Sequence, residues 1–116
     1  MVTKGFSRSD RVTEQVRREI GELIHSEIKD PRVKFVSVTA VELTADYAHA
    51  KVFFTTLQPA EKLPEVERGL KAAAGFLRRE LGRRVRIHTT PELHFVHDES
   101  IERGVNLSRL IDDANA

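Results

Sequence analysis

Cysteine and tryptophan are both absent from the 116-residue chain, and tyrosine and methionine occur once each. Without thiols the fold cannot rest on disulfides, and thiolate metal centres and cysteine nucleophiles are excluded. Glycine (6) and proline (4) are sparse, while 40% of residues are hydrophobic and 32% charged, a globular rather than disordered or fibrous composition. No apolar run approaches the roughly 20 residues that span a bilayer, and Met1 to Asp10 is polar, unlike a secretory signal. The expectation is one folded, monomeric, cytoplasmic domain over residues 1–116, with a core at about 8–98, a partly flexible C-terminal tail and no membrane attachment.

Familiar chemical motifs are missing too. The chain has no Gly-rich phosphate loop ending in Lys-Ser or Lys-Thr, no Gly-x-Gly-x-x-Gly and no Gly-x-Ser-x-Gly turn, so no cofactor and no enzyme activity are expected. The histidines His25, His49, His88, His94 and His97 are mostly scattered, and His94 and His97 fall on opposite faces of an extended segment. No metal site is expected on that spacing. Asp98-Glu99 and Asp112-Asp113 read as capping or solvated carboxylates.

The formal net charge of +1 conceals an uneven distribution. Residues 68 to 88 carry seven basic side chains against Glu80 alone, whereas residues 89 to 116 carry two against six acidic ones. A basic block in a near-neutral chain is either a phosphate-attracting surface or a solvated helix face, and charge alone does not choose between them.

Hydrophobic spacing orders the elements. Val12, Val16, Ile20, Leu23, Ile24 and Ile28 keep helical period from a cap at Ser7 or Ser9 until Asp30-Pro31 stops the helix. Arg11, Gln15 and Arg18, with Arg8, share its polar face. Val33 to Leu43 is rich in β-formers, and Ala48 to Leu57 alternates Ala48, Ala50, Val52 and Phe54 with His49, Lys51, Phe53 and Thr55; Thr44 to Tyr47 reverses the chain between them. Pro64 opens a second helical stretch whose line Val66, Leu70, Ala73, Leu77 and Leu81 crosses Gly75. A glycine there predicts a kink, with positive φ or close backbone approach, dividing the stretch in two. Leu93 to Val96 reads as a third strand, and Ile101, Val105 and Leu110 could line a short C-terminal helix. The order is α-β-β-α-α-β, an α+β domain with a three-stranded mixed sheet whose single apolar face is covered by helices.

Nucleic-acid binding is the remaining chemistry. Arg78, Arg79, Arg83 and Arg84 follow Gly75 and are the first candidates for RNA phosphate contact, with Arg11, Arg18 and Arg32 as second candidates. Aromatics amount to 6%, and Phe35, Phe54, Phe76 and Phe95 sit in core-like patterns, so contact with phosphates is expected rather than base stacking.

An ordered set of segments then carries a resemblance over nearly the whole chain. These are Ser7-Arg8-Ser9-Asp10-Arg11-Val12, Asp30-Pro31-Arg32, Val36-Ser37-Val38-Thr39, Thr44 to Lys51, Ala73-Ala74-Gly75-Phe76-Leu77-Arg78, Pro91-Glu92-Leu93-His94-Phe95 and Asp98-Glu99-Ser100. Together they resemble the ribosome-binding factor A family of bacterial small-subunit assembly factors. The resemblance implies a type II KH-like fold in which an Ala-x-Gly kink, matched by Ala73 and Gly75, replaces the Gly-x-x-Gly loop between two helices. It further implies binding to the immature small (30S) ribosomal subunit through its 16S ribosomal RNA, help with late processing and maturation, and release by an assembly GTPase. The alternative is a protein-interaction module that docks on a ribosomal protein or a GTPase without recognising RNA.

Overall fold

The computed structural model describes residues 8–99. Helix α1 spans Arg8–Glu27 and ends, as its spacing predicts, before Asp30-Pro31, where a short 3-10 turn, Pro31–Val33, carries the chain into the sheet. Strands β1, Val36–Leu43, and β2, His49–Thr56, form an antiparallel hairpin. A second 3-10 turn, Ala60–Lys62, leads into helix α2, Leu63–Arg84, and β3, Glu92–His97, then pairs parallel to β2. The sheet order β1-β2-β3 is the expected mixed, KH-like arrangement. No helix among the described residues is long and apolar enough to cross a membrane. Ser7 and the expected C-terminal helix lie outside the described residues.

The hairpin turn is closed by side chains. Thr44 Oγ1 donates to Asp46 Oδ1 at 2.7 Å, Asp46 Oδ1 also accepts the Ala48 N–H, and Thr44 Oγ1 accepts the His49 N–H. These bonds hold Tyr47 at φ 60°, the left-handed region that non-glycine residues seldom enter. In β1, Val38 faces Phe54 while Ala40 faces Phe53, so Thr39 is an extra residue. The bulge moves the inward set from Val36 and Val38 to Val41 and Leu43, which keeps apolar side chains on one face along the whole strand. The Thr39 hydroxyl donates to Asp98 Oδ2 at 2.6 Å, tying the end of β3 to the bulge across the sheet.

Both helices lie on that inward face, α1 over β1 and α2 over β3. Val16, Ile20, Leu23 and Ile24 from α1 and Val66, Leu70, Leu77 and Leu81 from α2 meet Val41, Ala50, Val52, Phe54 and Leu93 in one core. Val38 and Phe95 are partly buried at its margin. The opposite sheet face, with His49, Lys51, Glu92 and His94, is exposed to solvent.

The two helical segments of the expected order meet at Ala73 and Gly75, as the KH-like arrangement requires, and only the backbone expected of that glycine is corrected. They run together as the 22-residue α2, and Gly75 does not have positive φ. Val66, Leu70, Leu77 and Leu81 fall within about 60° of arc at 100° per residue, so one register buries both halves of α2 on the sheet. A left-handed residue at Gly75 would turn the second half of that line away from the core. Close approach is absent as well, because nothing lies within 4 Å of where a Cβ would stand on Gly75. Two glycines of α2 are closely approached instead: at Gly69 a Cβ would lie 3.0 Å from Val33 Cγ1 and 3.1 Å from Arg32 Cβ, and at Gly82 3.0 Å from Thr90 Oγ1.

Thermal or denaturant melts separate these roles. Gly75→Ala is expected to raise stability, by up to about 1 kcal/mol, since alanine is the better helix former at an open site. Gly69→Ala is expected to lower it, because the buried Val33 has no room to retreat; a lowered midpoint for Gly75→Ala would show that its backbone freedom is used after all. Phe54, wholly buried at the centre of the sheet, is expected to cost about 3 to 5 kcal/mol when truncated to Ala, and a loss below about 1 kcal/mol would show the face assignment inverted.

Candidate nucleic-acid interface

With one face of α2 held on the sheet, the opposite face is fixed outward. Arg68, Lys71, Gly75, Arg78, Arg79 and Gly82 recur at spacings of three and four and are all exposed, which puts four cations in a row along the outside of the helix. Gly75 on this row leaves the helix backbone uncovered between the cationic side chains, while Thr90 stands over Gly82. Arg68 and Lys71 were not among the expected contacts, although counting back from Arg78 by seven and ten residues finds them.

Beside this row, α2 and β3 border a groove of about 520 Å³ lined in part by Lys71, Gly75, Arg78, Leu93 and His94. The Arg78 Nη2 donates to the Thr90 carbonyl at 3.0 Å, and its Nε to the same oxygen at 3.3 Å. This contact fastens the guanidinium to the loop before β3 while leaving the side chain exposed. Arg79 is exposed and has no ion-pair partner among the described residues.

The other expected arginines are placed differently. Arg83 is exposed near the end of α2, with Glu80 3.5 Å away across an i,i+3 pair that contributes little in water. Arg84 points to the other side of the helix, where its Nη1 donates to Glu19 Oε2 at 3.1 Å and links α2 to α1. Arg11 and Arg18 lie exposed on α1 with Glu14 and Gln15 between them, and the guanidinium of Arg17 is taken up by Glu14. Arg32 is clamped by Asp30: Nη2 donates to Oδ2 at 2.6 Å, Nε reaches both carboxylate oxygens at 3.0 Å, and the Arg32 backbone N–H donates to Oδ1 at 2.9 Å. Its first role is therefore to shape the turn between α1 and β1.

This arrangement defines a class: a KH-like α+β domain whose crossover helix presents a cationic row and a neighbouring groove, with no Gly-x-x-Gly loop. Residues 8–111 match the ribosome-binding factor A family, and the chain belongs to it. It is 72% identical over 116 residues to ribosome-binding factor A of Dechloromonas aromatica (strain RCB), covering 100% of this chain and 94% of that one. Identity to the Azoarcus sp. (strain BH72) protein is 66% over 111 residues, covering 96% and 88%. Among solved structures, the crystal structure of ribosome-binding factor A from Thermus thermophilus is similar with a TM-score of 0.70 at 28% identity, covering 78% of this chain and 97% of that one. A Thermus thermophilus homology model fitted into the cryo-EM map of a complex with the 30S subunit gives a TM-score of 0.62 at 30% identity, covering 75% and 91%.

The Arg32 clamp has a pH signature. Hydrogen bonds from the Arg32 side chain, and then from its backbone N–H, hold the Asp30 carboxyl below its usual range. A carboxyl depressed in the folded state stabilises the fold above its unfolded pKa of about 3.9, and that contribution is lost as pH falls through the lower folded value. Asp30→Asn keeps a side-chain acceptor for the Arg32 N–H but removes the charge. The variant is expected to be less stable than the unsubstituted protein at neutral pH and to converge with it in acid, as read by urea melts across that range; a constant gap at all pH values would remove the charge from the account.

Proposed function

We propose that this protein is a ribosome biogenesis factor that binds the free, immature 30S subunit through its 16S ribosomal RNA and assists late processing and maturation. The row formed by Arg68, Lys71, Arg78 and Arg79 carries the reading, in a chain of the family one of whose members was fitted into a 30S complex. Four cations on the outer face of one rigid helix match a phosphate backbone in charge without demanding a particular base. Arg83 extends the row at its C-terminal end. Arg11 and Arg18 are secondary contacts on α1, while Arg84 and Arg32, already held by carboxylates, contribute least. The protein acts by binding, as a single domain in the cytoplasm, and an assembly GTPase releases it.

A second reading has its own observation. Phe35 and Leu57 are 46% and 85% exposed, and the Leu57 N–H bonds to the Phe35 carbonyl at 3.3 Å, so two large apolar side chains stand at the same end of the hairpin. Phe35 thus leaves the core that its sequence pattern predicts. That end suits a protein partner on the subunit, or the GTPase, and docking there would depend little on salt.

Sedimentation with purified small subunits, large subunits and joined ribosomes across a salt series separates the two. The protein is expected to favour free small subunits, with affinity falling as salt rises. Arg78/Arg79→Ala is expected to reduce the log-log salt slope by about 0.7 to 0.9 for each phosphate contact removed while leaving the fold intact. Equal binding to all three particles would sink the assembly-factor reading. A salt-insensitive association lost with Phe35→Ser would move the interface to the hairpin end.

A further inference from the structure

Along the chain His49 and His94 are 45 residues apart, yet the sheet makes them neighbours. His49 is the cross-strand partner of Glu92 in the parallel β2–β3 pair, and Glu92 and His94, two residues apart on β3, project from the same face. The result is a cluster on the sheet face that no helix covers. His49 Nδ1 lies 3.0 Å from His94 Nε2 and 3.8 Å from Glu92 Oε2, and all three ligand atoms fall within 4.8 Å of one another.

An imidazole nitrogen carries either one proton or one lone pair. If His49 Nδ1 donates to His94, it has no second proton for the Glu92 carboxylate beside it; if it accepts from His94, it presents a lone pair to that carboxylate. A cation placed among the three atoms satisfies them all at once. Two nitrogens bound to tetrahedral zinc at 2.0–2.1 Å stand about 3.3 to 3.4 Å apart, so the histidine pair needs an adjustment of only a few tenths of an ångström, and Glu92 is an exposed side chain free to close its longer gap.

We propose that His49, Glu92 and His94 form a binding site for a first-row divalent transition cation, in the first instance zinc. Two imidazoles and one carboxylate match the nitrogen and oxygen preference of zinc, whereas magnesium and calcium favour all-oxygen shells. Three protein ligands leave a fourth, solvent-facing position for water. The frame is rigid: the Glu92 N–H bonds to the Ala48 carbonyl at 2.9 Å, and both the N–H and the carbonyl of His49 are held by Thr44. Lys51 is the cross-strand partner of His94, and its ammonium lies 6.0 Å from the centre of the Phe53 ring, further along β2 from His49. Glu92 and His94 also line the groove beside Lys71 and Arg78, but the test of the site needs no ribosome.

Calorimetric titration of zinc chloride into the untagged full-length chain tests it. The structure calls for saturable uptake of one zinc per chain, weakened about tenfold or more in His49→Ala and in His94→Ala and unchanged in His88→Ala, with circular dichroism unaltered in every variant. Uptake of equal strength in His94→Ala, or no saturable uptake by about 1 mM zinc, would overturn the proposal. NMR of the unsubstituted protein supplies a measurement that does not depend on the variants folding. Zinc-induced shifts confined to the imidazoles of His49 and His94 support the site, and shifts spread over all five histidines refute it.

Discussion

The parallel pairing of β3 with β2 is the constraint on which the rest of the molecule depends. An antiparallel third strand could follow a short turn, but a parallel one requires the chain to travel the length of the sheet before it can pair. Here that crossover is made by α2, which returns across the apolar face together with α1. Because Val66, Leu70, Leu77 and Leu81 must face Ala50, Val52 and Phe54, the helix has no rotational freedom, and the direction of every other side chain on it follows. The outward row of Arg68, Lys71, Arg78 and Arg79 is thus a consequence of how the core is buried. The same pairing sets His94 beside His49 on the uncovered face.

Charge on this surface is sorted by partner more than by sequence position. Arg84 is adjacent to Arg83 in the chain, yet it reaches back to Glu19 and joins the helices, while Arg83 remains in solvent beside Glu80. Arg32 carries the same charge as Arg78 but is held by a bidentate carboxylate, whereas Arg78 is fixed through a neutral carbonyl and keeps its charge available to an anion. A near-neutral protein can in this way present a locally cationic helix without the non-specific attraction that a large net charge brings.

Much of this was legible in the residues. The apolar period of α1, the alternation of Ala50, Val52 and Phe54, and the turn chemistry around Asp46 all predict elements found within a residue or two of their expected bounds. The backbone of Gly75 was not, because a glycine's local freedom says nothing about whether the helix uses it; the buried line on either side decides, and that line is continuous. The bulge at Thr39 leaves no local signal, since it depends on register against β2. Arg68 and Lys71 were visible once helical spacing was carried back from Arg78. The histidine cluster was hidden, because strand pairing brings together residues that sequence spacing keeps apart.

The proposed contact is between the outward face of α2 and ribosomal RNA. The most direct measurement is a cryo-EM reconstruction of this protein on the immature 30S subunit at a resolution that places side chains. Arg68, Lys71, Arg78 and Arg79 are expected to lie within hydrogen-bonding distance of phosphate oxygens. A complex in which that face of α2 looks into solvent, with the uncovered sheet face or the Phe35 and Leu57 end of the hairpin seated on the subunit, would contradict it.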